Sequence, residues 1–357
     1  MKSTFSRLAT LLLVAAAAAV TGCSSGSKDA ASPAGSSGTT TAAAAPAEVE
    51  LLNVSYDPTR ELWRDLNDAF SASYEKDHKT KVTIKQSHGG SGSQARAVID
   101  GLEADVVTLA MWLDVDAIQK AGLIDADWES RLPNRSLPYI STIVFVVRKD
   151  NPKKISDWPD LVRDDVKIIT PSPKTSGNGK LSFLAAWGSV LLRGGSAADA
   201  EKFVTELYHR VPVLDSGARG ATTTFAQKGI GDVHLTWENE AQLEVQEAKG
   251  ALEIVYPKLS IQAEPPLTVV SANVKRKKTT EVADAYLKFL YTDAGQKIIA
   301  KHFYRPTTEK ATAETAKQFP QLKLFTIEEI AKNWQDAQER FFAEGAIFDR
   351  IYQPAKK

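Results

Sequence analysis

The sequence contains very little cysteine: Cys23 is the only one among 357 residues. A single thiol cannot form a disulfide within the chain, which excludes a small disulfide-stabilised scaffold. Histidine is also scarce, and the chain has five: His78, His88, His209, His234 and His302. They show neither H-x-x-x-H spacing nor a paired-carboxylate pattern, so we expect no metal site.

Neither sign of charge is in excess. Lys and Arg together number 44, Asp and Glu together number 44, and the formal net charge is zero. A nucleic-acid surface would require a basic excess, so we expect no nucleic-acid partner. If the ligand is an anion, local geometry and not overall charge must hold it.

Two common functional motifs are incomplete. The segment "GNGKL" (177–181) has leucine where a phosphate-binding loop has Ser or Thr after its lysine, so we expect no nucleotide cofactor and no other cofactor. The segment "GGSGS" (89–93) ends in serine where the nucleophile motif G-x-S-x-G ends in glycine. A secreted hydrolase using Ser91 and His88 is therefore only an alternative, and we expect His88 to be a hydrogen-bonded structural residue.

The N-terminus has the pattern of a secretory signal peptide over residues 1–22. Lys2 and Arg7 precede an apolar run from Leu8 to Val20, which is too short and too rich in alanine to predict a membrane span. The segment "VTGC" that ends at Cys23 resembles the lipobox of bacterial lipoproteins. We therefore expect an exported protein that is lipidated at Cys23, with an unmodified thiol as the alternative.

Residues 23–47 predict a flexible tether. This segment consists mainly of Ser, Gly, Thr, Ala and Pro with almost no large apolar side chain, so it cannot bury a core. The folded part should begin near Glu48, and the chain that follows is long enough for two lobes.

The folded part shows an α/β pattern in which short apolar strands alternate with helices. Strands are predicted at 49–55, 81–86, 104–110, 141–150, 166–170, 211–214, 232–237 and 252–256. Pro58 fits the first turn of a helix in which Leu62, Leu66, Phe70 and Tyr74 should face the core. Such alternation predicts mostly parallel sheets, and ligands of such folds bind beyond the carboxyl ends of the strands.

Loops at these strand ends share an unusual composition. Three of them combine Ser or Thr with Gly before a helix: "SHGGSGSQ" (87–94), "PSPKTSGNGKLSF" (171–183) and "DSGARGATTTF" (215–225). The loop "SYDPTRE" (55–61) adds an Asp-Pro helix start, and "TWENE" (236–240) follows a fifth strand. Free backbone N–H groups at helix starts bind anions, so these loops predict convergent donors around one small anion.

Several longer segments resemble one family. "LLNVSYDPTRELW", "QSHGGSGSQA", "STIVFVVRKDNPK", "LDSGARG", "GIGDVHLTWENEA" and "HFYRPT" are similar to segments of the sulfate-binding proteins of bacterial ABC importers, a group that includes thiosulfate binders. The resemblance runs from about Leu51 to Asp349. It implies the two-lobed type II periplasmic-binding fold, with the ligand cleft between lobes joined by crossover strands.

The resemblance also implies a set of site residues. Family members bind dehydrated sulfate with backbone N–H groups, one serine hydroxyl and one indole N–H. By motif, the backbone donors would be Asp57, Ser91, Gly177, Asn178 and Ala218, the hydroxyl Ser176 and the indole Trp237. Asn178 stands where the family usually has glycine. Arg219 would lie behind its loop without touching the ligand, and the other six tryptophans are expected to pack in the core.

The lobe bounds and the partners follow from the same resemblance. Lobe I would comprise residues 48–138 and 258–357, and lobe II residues 139–257. The protein would be a monomer without catalytic activity that delivers sulfate to a membrane permease driven by a cytoplasmic ATPase, and only its lipid anchor would touch the membrane. Thiosulfate, molybdate or phosphate remain alternative ligands, and an adhesive envelope lipoprotein is an alternative function.

The chemistry of the anions makes Asp57 an informative residue. Sulfate carries no proton at neutral pH, so a suitable site offers only donors, whereas phosphate keeps a proton that a carboxylate can accept. An inward-facing Asp57 carboxylate would therefore repel sulfate and favour phosphate. Because Pro58 follows it, we expect Asp57 to turn away and cap its own helix.

Overall fold

The computed structural model describes residues 47–352. The predicted signal peptide, the lipidation site Cys23 and residues 23–46 of the predicted tether lie outside the described residues. Ala47, the last residue of that tether, begins the first strand. Within the described part of the chain, no helix is both long enough and apolar enough to cross a membrane.

The strands and helices alternate along the chain. The strands are Ala47–Tyr56 (β1), Thr80–Gly89 (β2), Val106–Thr108 (β3), Tyr139–Arg148 (β4), Ile168–Pro171 (β5), Leu214–Asp215 (β6), Val233–Trp237 (β7), Leu252–Val255 (β8), Leu259–Ala263 (β9), Leu267–Val269 (β10), Arg305–Pro306 (β11) and Lys323–Phe325 (β12). The helices are Arg60–His78 (α1), Ser91–Ile99 (α2), Trp112–Lys120 (α3), Pro133–Ser136 (α4), Gly177–Leu191 (α5), Ala197–His209 (α6), Ala218–Thr222 (α7), Glu238–Glu247 (α8), Ser271–Lys277 (α9), Thr280–Phe289 (α10), Asp293–Lys301 (α11), Glu309–Thr315 (α12), Trp334–Ala337 (α13) and Ile347–Ile351 (α14).

Every strand predicted from the sequence overlaps an observed strand. The predicted helix after β1 is also present, and Pro58 lies in a short 3-10 turn, Asp57–Thr59, that leads into α1. The four apolar residues of α1 that recur every fourth position are buried as expected: Leu62, Leu66, Phe70 and Tyr74. The spacing therefore identified the face of α1 that packs on the first sheet.

The first sheet has four strands in the order β10-β3-β1-β2. β1 runs parallel to β2 and β3, and β10 runs antiparallel to β3. One face packs against α1 and α10 around Trp63 and Tyr286, and the other packs against α2 and α3 around Val107 and Ile118. Covering both faces explains why β3 is buried throughout and why Leu51 and Val54 of β1, which pack on opposite faces, are both buried.

The second sheet has the order β12-β9-β4-β7-β5-β6, and β8 and β11 also pair with β4. β4 runs antiparallel to β7, β8, β9 and β11, so the prediction of a mostly parallel sheet is wrong for this lobe. The apolar run of β4 correctly indicated burial on both faces, with Phe145 at 0% exposed. Burial carries no information about strand direction, which is why the sequence could not predict it.

β4 connects the two lobes. Tyr139 at its start packs in the core of the first lobe, 4.6 Å from the ring of Tyr304, and Phe145 packs in the core of the second. β9 and β12, which lie in a segment assigned to lobe I by resemblance, hydrogen-bond to each other in the second sheet. The bounds of the lobes stay a prediction.

The tryptophans other than Trp237 pack in or against the apolar clusters as expected: Trp63, Trp112, Trp128, Trp158, Trp187 and Trp334.

Candidate functional site

Five helical segments begin around one small cavity between the lobes. The 3-10 turn before α1 and helix α2 come from the first lobe, and α5, α7 and α8 come from the second. Each follows a strand of its sheet: β1, β2, β5, β6 and β7. The first N–H groups of a helix have no partner within it, and its dipole places positive potential at that end. The arrangement therefore directs backbone donors at one point.

All seven residues predicted as the site line this cavity: Asp57, Ser91, Ser176, Gly177, Asn178, Ala218 and Trp237. The cavity volume is about 10 Å³, which is on the order of the space needed by one water molecule. None of the described residues that line it is Lys or Arg, and Asp57 is the only carboxylate among them. Any anion here would be held by neutral groups and helix dipoles. Which of the seven contact a ligand stays a prediction.

The side chain of Ser91 is fully used within the protein. Its Oγ donates to the Asp114 carboxylate and accepts a hydrogen bond of 2.9 Å from the backbone N–H of Ala110. Ser91 is the first residue of α2 and follows Gly90 in an extended conformation. Its hydroxyl hydrogen is therefore not free for a ligand, and the role of its backbone N–H as a donor stays a prediction.

Ser176 has the opposite arrangement. It caps α5, and its Oγ accepts from the backbone N–H of Gly179 at 3.4 Å. A hydroxyl that accepts in this way still has its own hydrogen to donate. The hydroxyl can thus cap the helix and point its hydrogen at a ligand at the same time, which fits the predicted donor role of Ser176.

Asn178 differs from the glycine that resemblance suggests, but its backbone does not require glycine. It lies in the first turn of α5 and has a negative φ. Its amide Nδ2 donates to the carbonyl of Leu235 at 3.2 Å, which ties α5 to β7. Its Oδ1 is buried and has no hydrogen-bond partner among residues 47–352. Asn178 therefore keeps its backbone donor and adds an acceptor that the sequence did not predict.

The predicted capping role of Asp57 is wrong. Tyr56 is the cap of the 3-10 turn and Thr59 the cap of α1, and neither helix start receives a side-chain capping bond. The Asp57 carboxylate instead pairs with Arg60 at 2.6 Å. Side chains three residues apart are neighbours on a helical turn, so the two groups can meet. The second carboxylate oxygen of Asp57, Oδ2, would lie 3.4 Å from a Cβ added to Gly217. The Asp57 carboxylate therefore lies at the edge of the cleft and is paired with Arg60.

Two aromatic residues form one wall of the cavity. Trp237 caps α8 and is 1% exposed, and its ring centroid lies 5.5 Å from that of Tyr56. The Tyr56 hydroxyl is buried and has no hydrogen-bond partner within the described residues. Burial raises the pKa of Tyr56 well above its ordinary value, so the phenol stays neutral. This wall adds no charge to the site.

The lobes meet closely around the cavity. A Cβ added to Gly177 would lie 2.7 Å from the Cβ of Ala110, and one added to Gly90 would lie 2.9 Å from the carbonyl oxygen of Thr175. Each contact joins a residue of one lobe to a residue of the other. Glycine at these two positions lets the backbones approach, so the described conformation is a closed cleft.

Arg219 lies beside the cavity and does not line it, as expected. Its guanidinium is 2.8 Å from the carboxylate of Glu61 on α1 and 2.8 Å from that of Glu240 on α8. Burial raises the pKa of Glu240 to about 8, although the nearby guanidinium opposes the change. The arginine therefore contacts one acid on each side of the cleft.

The geometry gives no support to the hydrolase alternative. The hydroxyl of Ser91 donates to Asp114, whereas a serine nucleophile needs a neighbouring base such as histidine. His88 is hydrogen-bonded to the side chain of Gln86 at 2.7 Å, and burial lowers its pKa, so it is a neutral structural residue as predicted. Among residues 47–352 no group of His, Cys, Asp and Glu is suited to hold a metal ion.

Comparison with known proteins identifies the family. A sequence profile described as bacterial extracellular solute-binding protein matches residues 53–305. The chain belongs to this family. It is 54% identical over 306 residues to the "Sulfate-binding protein" of Escherichia coli, covering 85% of this chain and 93% of that protein. It is 47% identical over 312 residues to the "Thiosulfate-binding protein" of Pseudomonas aeruginosa, covering 87% and 94%.

Solved structures agree with the fold of this solute-binding protein. The sulfate-binding protein SubI from Mycobacterium tuberculosis H37Rv superposes with a TM-score of 0.75 at 33% identity, covering 82% of this chain and 99% of SubI. A periplasmic thiamin-binding protein superposes with a TM-score of 0.63 at 20% identity, which concerns the fold alone. The two-lobed periplasmic-binding fold predicted by resemblance is confirmed.

Sequence reasoning missed part of the cavity wall: Tyr56, Pro58, Gly89, Gly90, Ala110 and Gly217. Most of these directly precede or follow a predicted site residue, so they could have been found by extending each motif by one or two positions. Ala110 is different. It follows β3, a strand whose loop has no Ser or Gly signature, and only the packing of the two lobes brings it to Gly177.

Proposed function

We propose that the protein binds sulfate in the cavity between its lobes and releases it to a membrane transporter, without a catalytic step of its own. The observation that carries this proposal is the lining of the cavity, which combines several helix starts with no Lys or Arg side chain. Neutral donors and helix dipoles suit a fully ionised dianion that has no proton to donate. The relatives named as sulfate-binding support the same ligand.

Calorimetric titration of the purified chain with sulfate, thiosulfate, phosphate and molybdate tests the proposal. We expect one sulfate per chain and far weaker binding of phosphate. Thermal melting provides an independent check, because a ligand that binds only the folded state raises the melting temperature with the logarithm of its concentration. An adhesive or purely structural lipoprotein would show no shift with any of these anions.

Thiosulfate is the second candidate ligand. Two relatives named as thiosulfate-binding share 47% and 46% identity with this chain over most of its length. Thiosulfate has the same charge and tetrahedral shape as sulfate, with one oxygen replaced by a larger sulfur. The relative affinities in the same titration decide between the two anions.

Trp237 provides a spectroscopic test of the site. If its indole N–H donates to the anion, sulfate should change the tryptophan fluorescence, and Trp237→Phe should remove most of that change. The variant should also bind sulfate more weakly, by roughly 1.5–3 kcal/mol for a hydrogen bond to a charged group. Trp158→Phe is the matched control, because that indole donates to the carbonyl of Leu259 in the core. An unchanged affinity of Trp237→Phe would assign Trp237 to packing alone.

We also propose that the chain is exported, anchored through Cys23 and monomeric, and that its partners are permease subunits with a cytoplasmic ATPase. The lipobox-like "VTGC" and the tether composition support the anchor. Cys23→Ala should leave the precursor without lipid and should stop signal removal at that site, because no other side chain there can take the acyl group. Cell fractionation checks this, and a mature-sized variant that stays on membranes would contradict the anchor.

A further inference from the structure

A second cavity adjoins the proposed anion site. It has a volume of about 50 Å³ and shares Ser176 and Gly177 with the first cavity. The rest of its wall comes from α2 and α3 of the first lobe and from α5 and the preceding loop of the second. It therefore lies in the cleft between the lobes, directly beside the start of α5.

The walls of the two cavities differ in charge. The first contains no Lys or Arg, whereas the second is lined by Arg96, Lys174 and Lys180 together with one acid, Asp114. Lys174 is partly compensated, because it pairs with Asp349 at 2.7 Å. Arg96 is exposed on α2 and so faces both the cavity and solvent. The second cavity thus carries a positive excess at its open side.

The charges in the deeper part of this cavity influence one another. Lys180 donates to the side chain of Gln338 at 3.0 Å, and Asp114 accepts from Ser91, which also lines the first cavity. Burial lowers the pKa of Lys180 and raises that of Asp114, and the attraction between them opposes both changes. An anion that enters this cavity would favour the protonated form of both groups.

We propose that the second cavity is a separate oxyanion site beside the first, which captures the dianion before the lobes close over it in the first cavity. This inference rests on the proposed function. Positive side chains in a cleft concentrate an anionic ligand and raise its association rate, an effect that salt suppresses. The first cavity, which holds its ligand with neutral donors, has no such long-range attraction. The second cavity would thus capture the anion, and the first would retain it.

Stopped-flow fluorescence with sulfate tests this division. Arg96→Gln/Lys180→Gln should lower the association rate constant roughly three- to tenfold at low ionic strength, and the difference should shrink at high salt. The dissociation rate constant should stay within about twofold, because the retaining donors are unchanged. Lys275→Gln/Arg276→Gln removes two exposed cations from α9, outside both cavities, and controls for net charge.

Selenate provides a direct test, because its selenium can be located by anomalous scattering in crystals of the protein. We expect a weak second selenium position between Arg96 and Lys180, absent from Arg96→Gln/Lys180→Gln. An association rate equal to that of the control variant, or the absence of the second position at saturating selenate, would overturn the inference while leaving sulfate binding intact. If the unmodified protein bound no sulfate at all, the proposed function itself would fail.

Discussion

Gly177→Ala should weaken sulfate binding by roughly 10- to 100-fold, although it leaves every predicted donor in place. The added Cβ would lie 2.7 Å from the Cβ of Ala110 and 3.4 Å from Cγ of Met111. Overpacking of this kind costs about 1–3 kcal/mol, and here the cost falls on the closed conformation because the contact joins the two lobes. The expected signature is reduced affinity with an unchanged melting temperature in the absence of sulfate.

Ala110→Gly provides the matched control for this prediction. Removing the Ala110 Cβ makes room for the new methyl group, so Ala110→Gly/Gly177→Ala should recover much of the lost affinity. The coupling between the two substitutions, measured by calorimetry as a double-mutant cycle, reports the contact itself. If Gly177→Ala binds sulfate normally, the close approach of the lobes is not needed for binding.

The strand-end loops show how far the sequence could predict the site. The loops that carry Ser91, Gly177 and Ala218 were recognised because each leads from a strand to a helix start, where backbone N–H groups are free, and the individual residues were assigned by resemblance. Local sequence determines such helix starts, and the sheet then places them at one edge. The free N–H groups of each loop therefore follow from local sequence, and the convergence of the loops follows from the sheet that carries them.

Other features depend on contacts that join distant parts of the chain. The antiparallel direction of β4 depends on where the chain crosses between lobes, and the contact of Gly177 with Ala110 depends on how the lobes close. The capping role expected for Asp57 failed because Arg60 competes for the same carboxylate. In each case the sequence supplied the correct residue, but its partner was decided by three-dimensional packing or by a competing side chain.

The charge at position 176 should have the largest effect on which anion is bound. Ser176→Ala removes one donor to a charged ligand and should cost roughly 10- to 100-fold in sulfate affinity. Ser176→Asp should cost about a thousandfold, because it places a carboxylate against a dianion. Asp and Asn both cap helices well, so Ser176→Asn is the matched control of similar size without the charge. The difference between the Asp and Asn variants, measured by calorimetry, isolates the electrostatic repulsion.

The same series tests how the site rejects phosphate. Monohydrogen phosphate carries a proton that needs an acceptor, and leaving that donor unsatisfied costs about 1–3 kcal/mol. Side-chain acceptors of residues that line the cavity include the Asp57 carboxylate, one oxygen of which pairs with Arg60, and Asn178 Oδ1, which has no partner in the described chain. We expect the unmodified protein to bind phosphate weakly and Ser176→Asp to gain some phosphate affinity. If the unmodified protein binds phosphate as tightly as sulfate, loss of that binding in Asn178→Gly would identify the acceptor.

Sulfate affinity should stay nearly constant from mildly acidic to neutral pH. Sulfate itself does not titrate there, burial lowers the pKa of His88 and so favours its neutral form, and Tyr56 stays neutral because burial raises its pKa. Burial raises the pKa of two carboxyls near the cavity: Asp114, which accepts a hydrogen bond from Ser91, and Glu240, which lies beside Arg219 and has a pKa of about 8. Above the pKa of Glu240, its added negative charge beside α7 and α8 opposes a dianion, so the affinity should fall on the alkaline side. A steep change between pH 5 and 7 in calorimetric titrations would mean that an ionisable acceptor faces the ligand in the bound state.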